Sequence, residues 1–556
     1  MFLSIRSDSR RHGASHRLAL IALACVLTAG LANAQVPVAT DSAVPATALP
    51  PRTFSGGAAG SLPSLGENSD MTAATERRIG DRIARSIYRD PDYIDDPVLV
   101  DYVQGIWLPL MAAARARGEL HAELDERFAF QIFLLRDASV NAFALPGGYF
   151  GLHTGLLSTV SSADELAAVL GHELSHVTQR HISRLMTQQS RQTPWMIAAM
   201  VLGALAANKS SGAANAAIVG GQALAMQNQL NFSRDMEREA DRVGFGVMTD
   251  AGYESRGVAT MFDKLQQASR LNDNGSFPYL RSHPLTTERI AEAQARVQLA
   301  SAAEGPLSAD KLRELGQDHL LHAMMAARAR IFSSPGVDVL RTMVAEAQRR
   351  PATIDALGMP ASDANVRDAG ALYGGAFAAI QLRDYAVARR FITQLSPLVA
   401  AVPRAKNVLA LLTVELDLLA GQTPSAPSLA DIARGSSRAD VLVYSRAMMA
   451  AGQARIASER LQTWVATHPK DPMAWQLLSV ALGQQNLPIR AIRADAESRA
   501  AELDYAAALD RIKAAQTMMR TNPGTADYME ASIVDTRARQ FDSILKEQAL
   551  QDKIDK

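Results

Sequence analysis

The sequence predicts a mainly α protein: a helical domain carrying a small β-sheet, followed by an α-helical repeat solenoid. Three observations lead there. Of 556 residues, 48% are hydrophobic but only 5% aromatic, and alanine supplies much of the apolar fraction, which favours closely packed helices over a sheet-rich fold. Strand-like runs are confined to one passage between residues 128 and 152. Beyond Pro306 the pattern is almost purely helical, with a recurrence every 34 residues. At about 100–200 residues per domain, the length implies two or three domains. The 57 basic residues balance 57 acidic ones, so no basic face is on offer and no nucleic acid is expected as partner. A charged fraction of 21% also excludes a disordered polyelectrolyte.

Residues 1–34 read as a secretory signal peptide. Arg6, Arg10, Arg11 and Arg17 precede an apolar run from Leu18 to Leu31, and Ala32-Asn33-Ala34 is a small-x-small cleavage site. An uncleaved membrane anchor and a lipoprotein acylated at Cys25 are the competing readings, and Cys25 sits mid-run in a poor lipidation context. Removing four arginines and one aspartate leaves 53 basic against 56 acidic residues. It also removes the only cysteine, so disulfides are absent from the expected mature chain and a metal site must be built from His and carboxylates. Residues 35–68, with Pro50-Pro51 and Gly56-Gly57, read as a flexible leader.

A first folded domain is expected over 69–300. Phe128 to Leu135 reads as a buried strand, and Asn141 to Leu152 as a second one broken by a turn at Pro146-Gly147-Gly148. Ser162 with Glu165 forms a capping-box signature ahead of Leu166, Val169, Leu170, Leu174 and Val177, predicting a helix from Ala163 to about Met186. Trp195 to Ala207 is an apolar run of 13 residues, followed by a softer stretch to Leu230; neither reaches the ~20 residues of a bilayer span, and no other mature segment is expected to. Buried or hinge helices are one reading of 195–230, a lid or a peripheral membrane contact the other.

The second domain is expected over 307–556. Val441, Tyr444, Gly452 and Ala457 recur as Trp475, Leu478, Asn486 and Ala491, with His468 to Pro472 at the junction. A weaker copy places Asp384-Tyr385 and Ala388 about two periods earlier. A 34-residue helix–turn–helix period with small residues at tight positions resembles tetratricopeptide repeats.

The chemistry lies in Gly171-His172-Glu173-Leu174-Ser175-His176, an HExxH on the predicted capped helix. Positions four apart differ by only about 40° around a helix, so both imidazoles share a face at the spacing two nitrogen ligands of a tetrahedral Zn²⁺ require. Glu173 lies between them, placed to take a proton from water. A metzincin would continue with a glycine and then a third histidine, but Gln179 and Ile182 stand at those two positions, so that reading fails. His181, about 900° on from His172 along an unbroken helix, is expected on the opposite face as a surface or second-helix contact. The better third ligand is Glu237, within Ser233 to Asp241. Glu237 and Asp241 are four apart and face one way, so one carboxylate can hold a metal while the other fixes a ligand histidine. Glu239, about 200° round, is expected to face elsewhere.

The HExxH followed about sixty residues later by Glu237-Arg238-Glu239-Ala240-Asp241 resembles the gluzincin metallopeptidases that include the CAAX prenyl proteases and the heat-shock protease HtpX. The string His172 to His181, the Asn141-to-Tyr149 passage, the export signal and the trailing repeats are most similar to the β-barrel assembly-enhancing (BepA-type) proteases. The resemblance implies a gluzincin metallopeptidase domain with one Zn²⁺ per chain held by His172, His176 and Glu237, with Glu173 and Asp241 as the functional carboxylates, the first a general base. It implies that Asn141, Ala142, Phe143 and Ala144 form a substrate-binding edge strand, and that His283 is a possible regulatory zinc ligand. It further implies a periplasmic enzyme acting on misassembled or unfolded outer-membrane β-barrel proteins, docked to the outer-membrane assembly machinery by its repeats. The alternative is a non-proteolytic periplasmic chaperone or scaffold with a latent zinc site. An integral-membrane prenyl-type protease is disfavoured by the expected lack of a spanning segment.

Overall fold

The computed structural model describes residues 71–188, 233–270, 277–304, 308–334, 336–349, 363–424, 426–522 and 528–554. The signal peptide, the leader and the 195–230 segment lie outside the described residues.

The first described part begins with α1 (Ala73–Tyr88), capped by Thr72 and burying Ile79, Ile83 and Ile87 along one face. A short β1 (Tyr93–Ile94) leads to α2 (Pro97–Ala116), which starts on an Asp96 N-cap with proline in its first turn. After α3 (Ala122–Arg127) come β2 (Gln131–Leu135), β3 (Ala142–Leu145) and β4 (Tyr149–His153), forming one sheet in the order β1-β2-β4-β3. β2 runs parallel to β4, and β3 pairs antiparallel with β4 in the register Phe143 to Gly151, leaving β3 at the edge. The turn joining β3 to β4 needs two left-handed residues, supplied by Gly147 (φ 75°) and Gly148 (φ 77°). β2 starts three residues later than expected because Phe128 closes α3 and Phe130 takes a positive φ of 45°, which breaks the extended run ahead of Gln131. Every residue of β4 is buried, as a strand covered on both faces requires.

Among the described helices, α2 is long and apolar enough to cross a membrane, which corrects the expectation that no such segment exists. Its composition has a local cause: Trp107 packs edge-on against Phe150 of β4 at 4.7 Å and donates its indole N–H to Phe130 O, so the helix covers the sheet.

α4 (Thr154–Thr159) is followed by α5 (Ala163–Thr178), whose Ser162 cap accepts from Glu165 N–H. The reciprocal bond is displaced by one residue, since Glu165 accepts from Ser161 N–H and pairs with Lys264. The predicted single helix to Met186 is in fact two. α5 stops at Thr178, Arg180 adopts φ 55°, and α6 (His181–Gln188) sets off anew. Then follow α7 (Arg234–Asp250), α8 (Arg256–Arg270), α9 (Tyr279–Ser282) and α10 (Thr287–Glu304). α7 crosses α5 where Gly171 meets Gly244; a Cβ on Gly244 would lie 2.9 Å from Gly171 C, so only glycine permits this approach.

The remaining described elements are all helices: α11 (Ala309–Ser333), α12 (Val337–Gln348), α13 (Asp363–Gln381), α14 (Tyr385–Val399), α15 (Pro403–Leu419), α16 (Ala426–Arg434), α17 (Arg438–Ala450), α18 (Ala454–Thr467), α19 (Pro472–Gln484), α20 (Pro488–Ala501), α21 (Tyr505–Thr521) and α22 (Tyr528–Ile554). The starts of α17 and α19, and of α18 and α20, are 34 residues apart. The matching turn residues Gly452 (φ 73°) and Asn486 (φ 60°) are both left-handed. Arg383 (φ 60°) occupies the same kind of turn ahead of α14, at the site of the weaker copy. This helical array meets the start of α2 through Arg438, which binds Asp95 and Asp471 at once, and through Arg328, which binds Asp96 and Glu415; it meets α1 where Arg85 donates to Leu503 O and Arg89 to Asp504.

Candidate metal centre

Helix α5 delivers His172, Glu173 and His176; α7 delivers Glu237 and Asp241; the residue capping α9 delivers His283. The His172 and His176 Nε2 atoms lie 3.0 Å apart. Glu237 Oε2 is 3.6 Å from His172 Nε2, and its Oε1 is 3.5 Å from His176 Nε2. His283 Nδ1 lies 3.3 Å from His172 Nε2 and 3.1 Å from Glu237 Oε1. These four residues offer one ligand atom each within 4.8 Å of one another, and all are buried. Ligands about 2.0–2.1 Å from a tetrahedral ion sit roughly 3.3–3.4 Å from each other, so the spacings suit a small divalent cation. The donor set of imidazole nitrogen and carboxylate oxygen suits one as well.

Around this cluster the remaining polar atoms are assigned. His172 Nδ1 lies 3.0 Å from Asp241 Oδ1, which leaves Nε2 for the cluster. Asp241 is gripped in turn by both prongs of Arg289, Nε at 2.7 Å and Nη2 at 2.9 Å. Asp241 therefore acts through His172 rather than facing the donor atoms. Arg289 Nη1 is also 2.7 Å from Glu237 Oε2, outside hydrogen-bonding geometry, and that oxygen accepts no hydrogen bond. Glu173 accepts from Ala144 N–H at 3.0 Å through Oε2, while its buried Oε1 has no hydrogen bond and lies 3.3 Å from His283 Nε2. His283 is buried and stacked on Tyr279 at 4.6 Å.

Electrostatics agree with this wiring. Burial works against a charge on His172, but hydrogen bonds to Asp241 and Glu237 outweigh it and raise the group to about 10. A cation taking that nitrogen must displace a proton. Burial, followed by the neighbouring His172 and His283, holds His176 well below its ordinary value, so it is neutral. Burial would raise Glu237, yet His283 and His172 hold it far below the carboxylate range. Glu173 is raised, mainly by burial.

The edge strand is where the sequence places it, with one adjustment. β3 begins at Ala142; Asn141 precedes it, its carbonyl accepting from His153 N–H, and Phe143 stacks edge-on to His153. The Ala144 N–H points to α5 rather than to β4, marking the open edge beside Glu173. One expectation is corrected: His181 is buried against His176, not on an opposite face, because the helix breaks at Arg180 and the 900° extrapolation fails. Glu239 faces away from the four donor residues, as its place on the helix predicts, and binds His181 and Arg184. Arg289 escapes sequence reasoning altogether, its only signal being its place six residues after His283.

The profile of peptidase family M48 matches residues 111–297, which contain every residue of this centre. The β-barrel assembly-enhancing protease of Yersinia pestis is 30% identical over 447 residues, 79% of this chain and 84% of that protein. The chain belongs to peptidase family M48. Its Escherichia coli (strain K12) relative of the same description is 29% identical over 462 residues, 81% of this chain and 86% of the other. A Vibrio cholerae protein that carries the name provisionally is 32% identical over 336 residues, 60% of this chain, and the match spans only 63% of that relative. As an M48 member with its HExxH helix and carboxylate helix intact, the chain is a metallopeptidase.

Proposed function

We propose that the chain is a zinc-dependent endopeptidase of the periplasm that hydrolyses peptide bonds in misassembled or unfolded outer-membrane β-barrel proteins and assists their assembly. The observation that carries it is the buried convergence of His172, His176 and Glu237 at tetrahedral-edge distances, with the Glu173 carboxylate beside them. His172, His176 and Glu237 would hold one Zn²⁺, which when bound supplies Lewis acidity toward water and toward the scissile carbonyl. Glu173 takes the proton of the attacking water and delivers it to the leaving amine. Asp241 and Arg289 orient His172. A substrate strand pairs with the open edge of β3 at Ala142 and Ala144, drawing Ala144 N–H away from Glu173 and releasing that carboxylate beside the scissile bond.

The exported form would comprise the metallopeptidase part over 69–300 and a tetratricopeptide-like part over 307–556. The latter presents a surface for unfolded chains or the outer-membrane assembly machinery. The name of the Yersinia pestis relative supports the link to β-barrel assembly.

One contact favours a second reading. His283 touches Glu173, His172 and Glu237 together, filling the place where water and substrate would enter. In that arrangement the site is latent, and the chain would act as a chaperone or scaffold until His283 withdraws. Incubating wild type and Glu173→Gln with a denatured outer-membrane β-barrel protein tests both. Fragments from wild type alone support the peptidase; assembly support that persists undiminished in Glu173→Gln, without fragments from either, supports the scaffold.

A further inference from the structure

The two histidines of the HExxH are held by different devices, a carboxylate for one and an imidazole for the other. His172 gives its Nδ1 proton to Asp241. His176 Nδ1 instead lies 2.9 Å from Nδ1 of His181. Two imidazole nitrogens at that distance need one proton between them. If His176 Nε2 is to stay bare for a metal, its proton sits on Nδ1 and His181 Nδ1 accepts it. The His181 proton is then on Nε2, which lies 3.0 Å from Glu239 Oε2. The same oxygen accepts from Arg184 Nη2 at 2.7 Å. Each proton along the line has one place, and both rings are fully buried, so water cannot stand in for either partner.

We propose that His181 is a positioning residue of the metal centre, a neutral imidazole that fixes the tautomer and ring plane of His176 and is itself fixed by Glu239 and Arg184. The backbone is built for the task. Arg180 in its left-handed conformation folds the chain back after α5, so the first residue of α6 lies against His176. The reversal is pinned by the Arg180 guanidinium, which donates to Met71 O and to the buried Glu76. Glu239 reaches the same place from α7, two residues beyond Glu237, so one helix supplies a cluster carboxylate and the anchor of the other ligand's support. Interactions behind metal-ligating histidines are commonly worth 10–100-fold in affinity, roughly the effect expected here.

This inference rests on His176 being a metal ligand, and the test separates the two. Zinc affinity of the full exported chain is measured by chelator competition for wild type, His176→Ala, His181→Leu and His181→Asn, with the absorption spectrum of the Co²⁺-loaded forms beside it. His181→Leu should weaken binding by roughly 10–100-fold and shift the cobalt bands. His181→Asn, whose Oδ1 can accept at the Nδ1 position, should recover most of the affinity and the wild-type bands. Wild-type affinity in His181→Leu, or equal losses in Leu and Asn, would overturn the relay alone. Binding absent from wild type, or undiminished in His176→Ala, would bring down the metal-centre reading and the relay with it. Should the leucine variant not fold, Glu239→Ala at its part-exposed position decides: a weaker site supports the relay, unchanged affinity and spectrum refute it.

Discussion

Arg289 is the cation on which Glu237 and Asp241 of α7 converge, and its removal is the sharpest single-residue probe of the centre. Without it Asp241 loses two charge-assisted bonds and turns away from His172, and Glu237 loses its nearest fixed positive charge. Arg289→Leu is therefore expected to reduce metal affinity about 10–100-fold, read by chelator competition. An unchanged affinity would mean that Asp241 holds its orientation unaided. Glu173→Gln should behave in the opposite way, keeping the metal while lowering kcat by at least about 10²–10⁴-fold; a parallel loss of metal would make Glu173 a ligand instead. Much of this site is legible from residue types: His172, Glu173, His176, Glu237 and Asp241 follow from two i, i+4 pairings. Arg289 and His181 are not, since nothing local marks an arginine that crosses 48 positions to Asp241, or a histidine whose place depends on a helix break.

That break shows where element-scale reading fails. The Ser162 cap and the apolar stripe of α5 are local signals, as are the glycines of the β3–β4 turn, and each yields its element. The end of α5 carries no glycine or proline; Arg180 takes φ 55° where Glu76 of α1 and the carbonyl of Met71, just ahead of that helix, hold its side chain, a tertiary cause invisible in the sequence. The α5–α7 crossing is likewise tertiary. At Gly244→Ala the new Cβ meets Gly171 C and His172 N at 2.9 Å, backbone that cannot step aside, so the helices must part. The expected cost is about 1–3 kcal/mol. Glu237, two turns along α7, is carried away from the two imidazoles, so metal affinity should fall together with Tm. Gly483→Ala in α19 meets nothing within 4 Å and is the control, expected to leave Tm unchanged or raised. A Gly244→Ala chain with wild-type Tm and affinity would show that the glycine pair does not set the crossing.

At the scale of the whole molecule, the helical array and the metallopeptidase part are joined by buried polar contacts as well as by apolar packing. Arg328 of α11 binds Asp96, the cap of α2, and Glu415 of α15, and its guanidinium lies over Phe377 at 4.3 Å. Removing it strands two carboxylates, so Arg328→Leu should cost about 3–5 kcal/mol in chemical denaturation. His322, also on α11, makes the joint depend on pH. Its Nε2 donates to Val160 O at the end of α4 and its Nδ1 accepts from the Tyr102 hydroxyl of α2 at 2.6 Å, an arrangement only the neutral ring allows. Burial pushes the folded group down to about 4, against 6.5 ordinarily. The unfolded chain therefore takes up the proton first on acidification. The contribution is fully present above pH 6.5 and is lost as pH falls through 4, about 3 kcal/mol in all. His322→Gln removes the titrating group while keeping a side chain that can donate and accept. Denaturant midpoints followed from pH 7 to 4 should fall more steeply in wild type than in His322→Gln, the two curves converging toward pH 4. Parallel curves would show that His322 does not set the acid sensitivity of the joint, and that the contacts of Arg328 and Arg438 hold the two parts together regardless of its protonation.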